Sequence, residues 1–304
     1  MASVWEMLEV HRKEYVGAGE AVRPVFQGVE GYDVYNPTKA FPYKGKKMIC
    51  ARVEKRDSET SRTVFFEEVQ PEVYRPAEGW QRYDLQDPCL ARVRGRYVLG
   101  GTEVFPHPEN PERICWRTVF YYGTELEKLT RLAEGPDGMK DVRLVELADG
   151  RIGVFTRPQG AKGGRGKIGF TVVDGFDEVT ARVMEDAPLL PLFGEEEWGG
   201  VNEALLLPDG RIGVLGHIAC FEPEEVRHYF PMSFVFDPES RECTNVKILA
   251  ERREFLPGPS KRPDLEDVLF SGGISLMGEK ALLYVGVSDC EIQYKTVQNP
   301  FLGI

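Results

Sequence analysis

Five tight glycine turns recur along this chain, and each of them separates two short apolar runs. The turns are centred near Gly45, Gly95, Gly150, Gly210 and Gly278, so successive turns are 50, 55, 60 and 68 residues apart. A repeat of this length that is built from strands rather than helices is typical of propeller blades. We therefore predict an all-β fold, a five-bladed β-propeller, as a single domain over residues 1–304 with blades that start near residues 33, 84, 139, 200 and 268.

The first residues of the chain differ from the rest because their apolar side chains follow a helical period. Val4, Met7 and Leu8 fall on one face, which predicts a short N-terminal helix within residues 4–15. Three later segments, 159–167, 194–200 and 254–266, have the composition of loops, and loops of this length are often functional.

Composition excludes several classes of function. A net charge of −11 argues against non-specific binding to nucleic acid or to an anionic membrane, although a local group of cations can still hold a small anion. The six cysteines form no CxxC pair and the four histidines form no HExxH motif, so we expect reduced thiols, no metal site and no cofactor. The N-terminus has no secretory pattern and no segment approaches the ~20 apolar residues of a membrane span. We expect a cytoplasmic protein, and homo-oligomerisation stays open.

Polar residues collect at the strand ends far from the glycine turns. In a hairpin, residues at equal distance from the turn lie opposite each other. Counting outward predicts these pairs at one rim of the propeller: Asn36 with Arg52, Asp87 with Glu103, Asp141 with Arg157, Asn202 with His217, and Gly272 or Gly273 with Ser288 and Asp289. About half of this pattern is explained simply by loops that begin where strands end.

Asp87 is the strongest candidate for a catalytic residue. It enters an apolar strand directly before Pro88, and at a channel mouth a partly buried aspartate with a raised pKa can act as a general acid. The alternative interpretation, an ordinary Asp–Pro turn, carries about equal weight.

Several cations from different blades are predicted to gather near this aspartate. Guanidinium and ammonium groups bind phosphate oxygens directly, so the candidates for a phosphate site are Arg117, Lys140, Arg157 and His217. Taken alone, His217 is more typical of a core histidine. We expect four further cations to be solvated charges, namely Arg92, Arg143, Lys162 and Arg165.

One acid beside a cationic group favours a reaction in which phosphate attacks a glycoside. Hydrolysis with inversion needs a second carboxylate to activate water, whereas phosphate is already an anionic nucleophile. The spare carboxylates Glu103, Asp141 and Glu203 leave the hydrolase open.

Five segments of the chain resemble, in order, the blades of glycoside hydrolase family 130. They are YNPTKAFPYKGKKMICARVE, LQDPCLARVRGRYVLGGTEV, MKDVRLVELADGRIGVFTRP, GVNEALLLPDGRIGVLGHIA and FSGGISLMGEKALLYVGVSD, within about residues 30–295. The chain is more similar still to the domain of unknown function 1861, some protozoan members of which are β-1,2-mannosyltransferases and phosphorylases of glycosyltransferase family 108. The resemblance implies a five-bladed propeller that cleaves β-1,2-mannooligosaccharides with inversion and phosphate, or builds them in reverse.

The resemblance also implies roles for individual residues. Asp87 matches the Asp–Pro acid, which acts through a substrate hydroxyl, and Arg117, Lys140 and His217 match phosphate positions. The residues expected to contact sugar are Asn36, Arg52, Asp141, Asn202 and Asp289. Two departures are Cys89, where the family has arginine, and Asn202–Glu203, where phosphorylases have small apolar residues or proline.

Three other functions stay open at this stage. The first is a GDP-mannose-dependent mannosyltransferase. The second is a phosphate-independent glycosidase of the five-bladed furanosidase type, whose base would stand at Asn36, three residues after Asp33. The third is a propeller that binds sugar or protein without chemistry, which a mouth blocked by the 194–200 loop would favour.

Overall fold

Five β-sheets follow one another along the chain in the computed structural model, which describes residues 2–15, 19–222 and 226–304. Each sheet is one blade, so the predicted all-β, five-bladed propeller is confirmed. Blade 1 contains β1 (Val25–Phe26), β2 (Asp33–Tyr35), β3 (Phe41–Tyr43), β4 (Lys46–Glu54), β5 (Ser61–Gln70) and β6 (Val73–Pro76). Blade 2 contains β7 (Gln86–Val93), β8 (Arg96–His107), β9 (Asn110–Gly123) and β10 (Thr130–Glu134).

The other three blades have three or four strands each. Blade 3 contains β11 (Arg143–Glu146), β12 (Ile152–Thr156) and β13 (Gly169–Val173). Blade 4 contains β14 (Trp198–Leu206), β15 (Ile212–Phe221), β16 (Arg227–Phe236) and β17 (Cys243–Ile248). Blade 5 contains β18 (Leu269–Met277), β19 (Lys280–Val287) and β20 (Glu291–Gln298).

The glycine turns join the first two strands of blades 2 to 5, and β3 to β4 in blade 1. All five glycines have a positive φ, between 68° and 89°, and in this left-handed region a Cβ is unfavourable. The period that is visible in the sequence is therefore the period of the innermost hairpins.

The predicted N-terminal helix is present as α1 (Val4–Glu14). Ser3 and Glu6 form a capping box at its start, which satisfies backbone N–H groups that would otherwise lack partners. Its buried residues Val4, Met7 and Leu8 join a core cluster with residues of blades 3 and 4. The other two helices are short, α2 (Gly160–Gly163) and α3 (Ala181–Asp186), and no helix of the described residues is long and apolar enough to cross a membrane.

The N-terminal segment connects the last blade with the first. Val22 forms an antiparallel bridge with Tyr294 of β20, with N–O distances of 2.8 and 3.0 Å in the two directions. The chain then enters β1, which pairs with the outer strand β6 of blade 1. Val22 thus covers the outer edge of blade 5, and this contact helps to close the ring of blades.

The innermost strand of every blade is interrupted at an equivalent place. In blades 2, 4 and 5 the register shifts by a bulge that leaves Asp87 and Pro88, Asn202, or Gly272 unpaired. In blade 1 the inner strand breaks between β2 and β3, after Asn36, and in blade 3 Asp141 lies just before β11. Interruptions of this kind re-aim side chains, and in blades 1 to 3 they bring Asn36, Asp87 and Asp141 to one end of the axial channel.

Candidate active site

Side chains from all five blades line a cavity of about 200 Å³ at this end of the channel, which we call the mouth cavity. Eight of the ten residues predicted as site residues line it: Asn36, Arg52, Asp87, Lys140, Asp141, Arg157, His217 and Asp289. The two that do not are Arg117 and Asn202. The interrupted inner strands explain part of this convergence, because the breaks in blades 1 to 3 place Asn36, Asp87 and Asp141 at the cavity.

Asp87 is buried and is held by two residues of blade 1. Asn36 donates from Nδ2 to Asp87 Oδ1 at 2.7 Å, and Arg52 donates from Nη1 to the same oxygen at 3.2 Å. Asp87 has a φ of 50°, a left-handed conformation that aspartate tolerates better than most residues. The side chain at the Asp–Pro step therefore points into the cavity instead of forming only a turn.

Behind Arg52 lies a buried ionic group that fixes its guanidinium. Arg52 donates from Nε to Glu54 Oε2 at 3.1 Å and to Ser61 Oγ at 2.8 Å, and its guanidinium lies over the ring of Tyr35 at 4.8 Å. Lys261, from the 254–266 loop, forms an ion pair with Glu54. Buried pairs with this many partners orient a cation rigidly, so Arg52 has a defined position beside Asp87.

The two aspartates near Arg52 have pKa values shifted in opposite directions. Burial alone raises the pKa of Asp87, but the charges of Arg52 and Lys140 and the Asn36 hydrogen bond outweigh it, so this pKa lies below its usual value. Burial and the nearby Asp87 charge raise the pKa of Asp289 despite Arg52, Lys140 and Lys261. In the free protein the Asp87 pKa is therefore lowered, which is the reverse of the raised pKa expected from its sequence position.

Asp141 lies between two arginines. Arg157 Nη1 is 3.3 Å from Asp141 Oδ2, and Arg143 Nη2 is 3.6 Å from Oδ1. Burial raises the pKa of Asp141, but the charges of Arg157, Lys140 and Arg143 outweigh this effect and lower the pKa to about 2. Neither contact has hydrogen-bond geometry, so Asp141 Oδ1 and Arg157 Nη1 are both buried without a hydrogen-bond partner among the described residues. Buried polar groups of this kind need a partner, which water or a bound ligand can supply.

His217 is a neutral residue of the site rather than one of its cations. Burial lowers its pKa to about 3, and Arg157 and Lys140 lower it as well, against the opposing effect of Asp141. The ring is 5.5 Å from that of Tyr229, nearly parallel, and 5.1 Å from that of Phe270. His217 therefore offers a hydrogen bond to a ligand, and the prediction that it contributes positive charge is wrong.

Asn202 supports His217 from outside the mouth cavity. Asn202 Oδ1 lies 2.8 Å from His217 Nδ1. Asn202 itself lines a second, larger cavity of about 890 Å³ nearer the glycine turns, which we call the turn-side cavity. In the observed register Gly200 rather than Asn202 faces His217: the pairing on the turn side would place Val201 there, and the bulge at Asn202 moves it by one further residue. The structure does not bring Asn202 to the position expected of a sugar contact.

Arg117 lies away from the mouth cavity in the outer half of blade 2. Its partners are three carboxylates, Glu103 at 2.9 Å, Glu134 at 3.2 Å and Asp137 at 3.7 Å. Glu103 faces Arg117 across β8 and β9, so it does not reach the rim where Asp87 was expected to meet it. Counting residues outward from the glycine turn paired Asp87 with Glu103 incorrectly, because the bulge at Asp87 and the outward direction of the Glu103 side chain depend on the tertiary structure.

Two further expectations need correction. Around turn 5, Gly273 faces Tyr284, and Ser288 instead donates its N–H to Val268 at 2.8 Å. Arg143, expected to be a solvated charge, is buried in the channel. Arg143 follows Asp141 by two residues, and residues at this spacing lie on the same face of a strand. This spacing was the sequence signal that could have identified Arg143.

Sequence reasoning also missed several residues that complete the cavity. The polar ones are Glu59, Gln86, Arg227, Tyr229, Lys261 and Arg262. Lys261 and Arg262 belong to the long 254–266 loop, whose length was a usable signal. Arg227 and Tyr229 belong to β16, the third strand of blade 4, and no pattern of the inner hairpins identifies them.

Among the described residues that line the mouth cavity, cations outnumber carboxylates, although the whole chain carries a net charge of −11. The cations that line it are Arg52, Lys140, Arg157, Arg227, Lys261 and Arg262. The carboxylates are Glu59, Asp87, Asp141 and Asp289. A cleft of one dominant sign attracts a ligand of the opposite sign, so the cavity favours a small anion over a cation. Within the described residues no group of His, Cys, Asp and Glu is arranged to hold a metal ion.

The chain matches a family model described as a protein of unknown function, DUF1861, over residues 11–303. This chain belongs to the DUF1861 family. A mannose phosphorylase from Leishmania mexicana, MPT-4, solved with a phosphate ion, is similar to this DUF1861 protein with 37% identity, a TM-score of 0.90, and coverage of 98% of this chain and 93% of that chain. MPT-1 from the same organism, a GDP-Man-dependent mannosyltransferase, has 31% identity and a TM-score of 0.90, with coverage of 99% and 96%.

More distant structures share the fold of this DUF1861 protein. The β-1,2-mannobiose phosphorylase of Listeria innocua has 14% identity and a TM-score of 0.63, with coverage of 88% of this chain and 91% of that chain. At this identity the similarity concerns the fold alone. A search of curated protein sequences finds no significant match.

Proposed function

We propose that this protein is a sugar-active enzyme that cleaves β-mannosides with inorganic phosphate, or builds them in the reverse direction, and that its substrates are β-1,2-mannooligosaccharides. The observation that carries the proposal is the position of Asp87 in one buried cavity with Lys140, Arg157 and His217. The 37% identical MPT-4, a mannose phosphorylase solved with phosphate, supports it.

Phosphate binds beside Lys140, Arg157 and His217 in this proposal. Arg157 has a buried Nη1 without a hydrogen-bond partner among the described residues, and Lys140 lines the same cavity. Guanidinium and ammonium donors bind phosphate oxygens with charge-assisted hydrogen bonds. The neutral His217 donates its Nδ1 proton to Asn202 Oδ1, so its Nε2 accepts a hydrogen bond from the O–H of a hydrogen phosphate ion, without the cost of burying another cation.

Asp87 supplies the proton in this reaction. Phosphate oxygen attacks the anomeric carbon from the face opposite to the leaving group, the glycosidic C–O bond breaks, and the proton of Asp87 reaches the leaving oxygen through a substrate hydroxyl. A bound phosphate compensates the charge of Lys140, one of the cations that hold the Asp87 pKa down. Phosphate binding therefore raises the pKa of Asp87 and prepares it to carry the proton that the free protein lacks.

The sugar is held by the polar residues on the blade 1 and blade 5 side of the cavity. Asn36, Arg52 and Asp289 line this side. Burial and the Asp87 charge raise the pKa of Asp289, and the oxygens of its carboxyl group can accept hydrogen bonds from sugar hydroxyls.

The alternatives of hydrolysis and of binding without chemistry have less support. Asp33, the nearest carboxylate to the furanosidase base position, pairs with Arg56 at 2.7 Å and does not line the mouth cavity. Glu103 is occupied by Arg117 and Arg131, and Glu203 by Lys39 at 2.5 Å. No residue of the 194–200 loop lines the cavity, so that loop does not block the mouth.

A mannosyltransferase is the second candidate because MPT-1, a GDP-Man-dependent enzyme, is 31% identical to this chain. Arg227 and Arg262 line the outer part of the mouth cavity and are partly exposed. Guanidinium groups at this position suit a second phosphate, as a nucleotide sugar requires.

The test is to incubate the purified protein with β-1,2-mannobiose and β-1,2-mannotriose, with and without phosphate, and to assay mannose 1-phosphate. Phosphate-dependent formation of α-mannose 1-phosphate is the expected result. A parallel reaction with GDP-mannose and a mannose acceptor distinguishes the transferase. Free mannose released at the same rate without phosphate would contradict the phosphorylase.

A further inference from the structure

Arg143 is a buried arginine outside the mouth cavity that the proposed reaction does not use. Its side chain is 5% exposed and lines the turn-side cavity, on the other side of Asp141 from the mouth. A buried guanidinium requires partners for its five N–H groups, because an unpaired buried charge is costly.

The partners of Arg143 belong to two neighbouring blades. Nε donates to the backbone oxygen of Asn202 at 2.9 Å, Nη1 donates to the backbone oxygen of Val142 at 3.0 Å, and Nη2 lies 3.6 Å from Asp141 Oδ1. One side chain thus contacts the inner strands of blades 3 and 4 at the points where both are interrupted. These contacts form the wall between the two cavities.

Two of the contacted residues, Asp141 and Asn202, hold a group of the mouth cavity. Asp141 pairs with Arg157, and Asn202 holds the Nδ1 edge of His217. We propose that Arg143 is a positioning residue that fixes Asp141 and Asn202 from behind, and through them Arg157 and His217, in the arrangement that receives an anion. This inference rests on the proposed function for its ligand, inorganic phosphate.

Charge balance supports the same role. Asp141 is a buried anion next to the region where phosphate binds, and Arg143 compensates it from the side that faces away from the ligand. Without Arg143, the charge of Asp141 acts on Arg157 and on the phosphate with less compensation, and both effects weaken phosphate binding. The ionisable and charged groups that face Asp141 are Asp87, Cys89, Lys140, Arg143, Arg157 and His217.

The test compares wild type with Arg143→Met, Arg143→Lys and the control Arg92→Met. Arg92 also lines the turn-side cavity, but its guanidinium is exposed and lies over the ring of Tyr97 at 4.3 Å. We expect Arg143→Met to raise the phosphate KM by about tenfold or more while the mannoside KM changes less than about twofold. Arg143→Lys keeps the charge and moves the phosphate KM back toward wild type, and Arg92→Met leaves it unchanged.

A second measurement is independent of turnover. The carboxyl ¹³C signal of Asp141, assigned with Asp141→Asn, is followed without phosphate from pH 7 down toward its pKa of about 2, as far as each protein stays folded, in wild type, Arg143→Lys and Arg143→Met. We expect Asp141 to titrate at a higher pH in Arg143→Met than in wild type. In Arg143→Lys its titration should lie between those of wild type and Arg143→Met. Absence of phosphorolysis in wild type would overturn the proposed function alone. The positioning role would be overturned if Asp141 titrated at the same pH in Arg143→Met as in wild type. It would also be overturned if the phosphate KM and the mannoside KM rose, and kcat fell, by the same factor.

Discussion

Asn36 of blade 1 donates a hydrogen bond to Asp87 of blade 2 over 2.7 Å. Both residues are buried, and both have left-handed backbone conformations, with φ values of 46° and 50°. The bond joins equivalent interruptions in two neighbouring inner strands. The position of the candidate acid is therefore set by the packing of two blades against each other, and four predictions follow from this arrangement and its surroundings.

Replacing Asp87 by Asn removes the proton donor and keeps the shape of the side chain. We expect kcat for phosphorolysis to fall by about 10²–10⁴-fold, since a general acid contributes that much. The melting temperature should stay within a few degrees of wild type because Arg52 keeps its bonds to Glu54 and Ser61. The matched control is Asp84→Asn, three residues earlier, whose side chain is 91% exposed. Turnover by Asp87→Asn at the wild-type rate would show that Asp87 is not the general acid.

Arg157 and Arg117 were both predicted to bind phosphate, and the structure distinguishes them. Arg157 lines the mouth cavity, whereas Arg117 lies among Glu103, Glu134 and Asp137. We expect Arg157→Met to raise the phosphate KM by about tenfold or more, because a charge-assisted bond to phosphate is lost. Arg117→Met should leave it unchanged. Initial rates at varied phosphate concentration give the phosphate KM of each variant. Equal changes in the two variants would contradict the assignment of Arg157, and not Arg117, to the phosphate site.

The low pKa of His217 predicts a loss of stability in mild acid. The folded protein keeps this ring neutral down to about pH 3, whereas in the unfolded chain it takes up a proton below its model value of 6.5. The stability that His217 contributes is thus complete above pH 6.5 and declines as the pH falls toward 3. At pH 5 the decline is about 2 kcal/mol in the free energy of unfolding.

Urea unfolding of wild type and His217→Gln at pH 7 and pH 5 measures this effect. The difference between the two proteins cancels the other groups that titrate in the same range, including His228, whose pKa shifts in the opposite direction through its bond to Asp267. We expect wild type to lose about 2 kcal/mol more than the variant over this interval. Equal losses would show that His217 is protonated in the folded protein.

Gly286 lies where a side chain would displace Asn36. A Cβ on Gly286 would be 1.9 Å from Asn36 Oδ1 and 2.8 Å from its backbone nitrogen, closer than atoms can approach. We expect Gly286→Ala to break the Asn36–Asp87 bond, to reduce kcat/KM by about tenfold or more, and to cost about 1–3 kcal/mol of stability through overpacking. Gly19→Ala, where no atom lies within 4 Å of the new Cβ, is the control. Unchanged activity in Gly286→Ala would show that the bond has no role in turnover.

The repeat of glycine turns was enough to predict the number of blades and the place of the innermost hairpins. Each of these turns requires a left-handed residue, so the constraint is local and is written directly in the sequence. The convergence of Asp87, Lys140, Asp141 and Arg157 at one rim follows from the same periodicity, because hairpins related by rotation bring corresponding ends together.

Bulges were the first feature that the sequence did not reveal. A bulge shifts the register by one residue and changes the side to which the following side chains point, which is why Asn202 reached the turn-side cavity and Glu103 turned to Arg117. Residues from outer strands and from the 254–266 loop, such as Tyr229 and Lys261, completed the cavity without any periodic signal.

The sequence by itself determined the five-bladed architecture, the N-terminal helix and the rim at which the polar residues meet, since these depend on turn chemistry and on periodicity along the chain. Only the tertiary structure decided the ionisation of the site. The low pKa values of Asp87 and His217, the raised pKa of Asp289 and the burial of Arg143 depend on charges and desolvation contributed by other blades. Electrostatic interactions act through space between residues that are distant in sequence, so no local pattern records them.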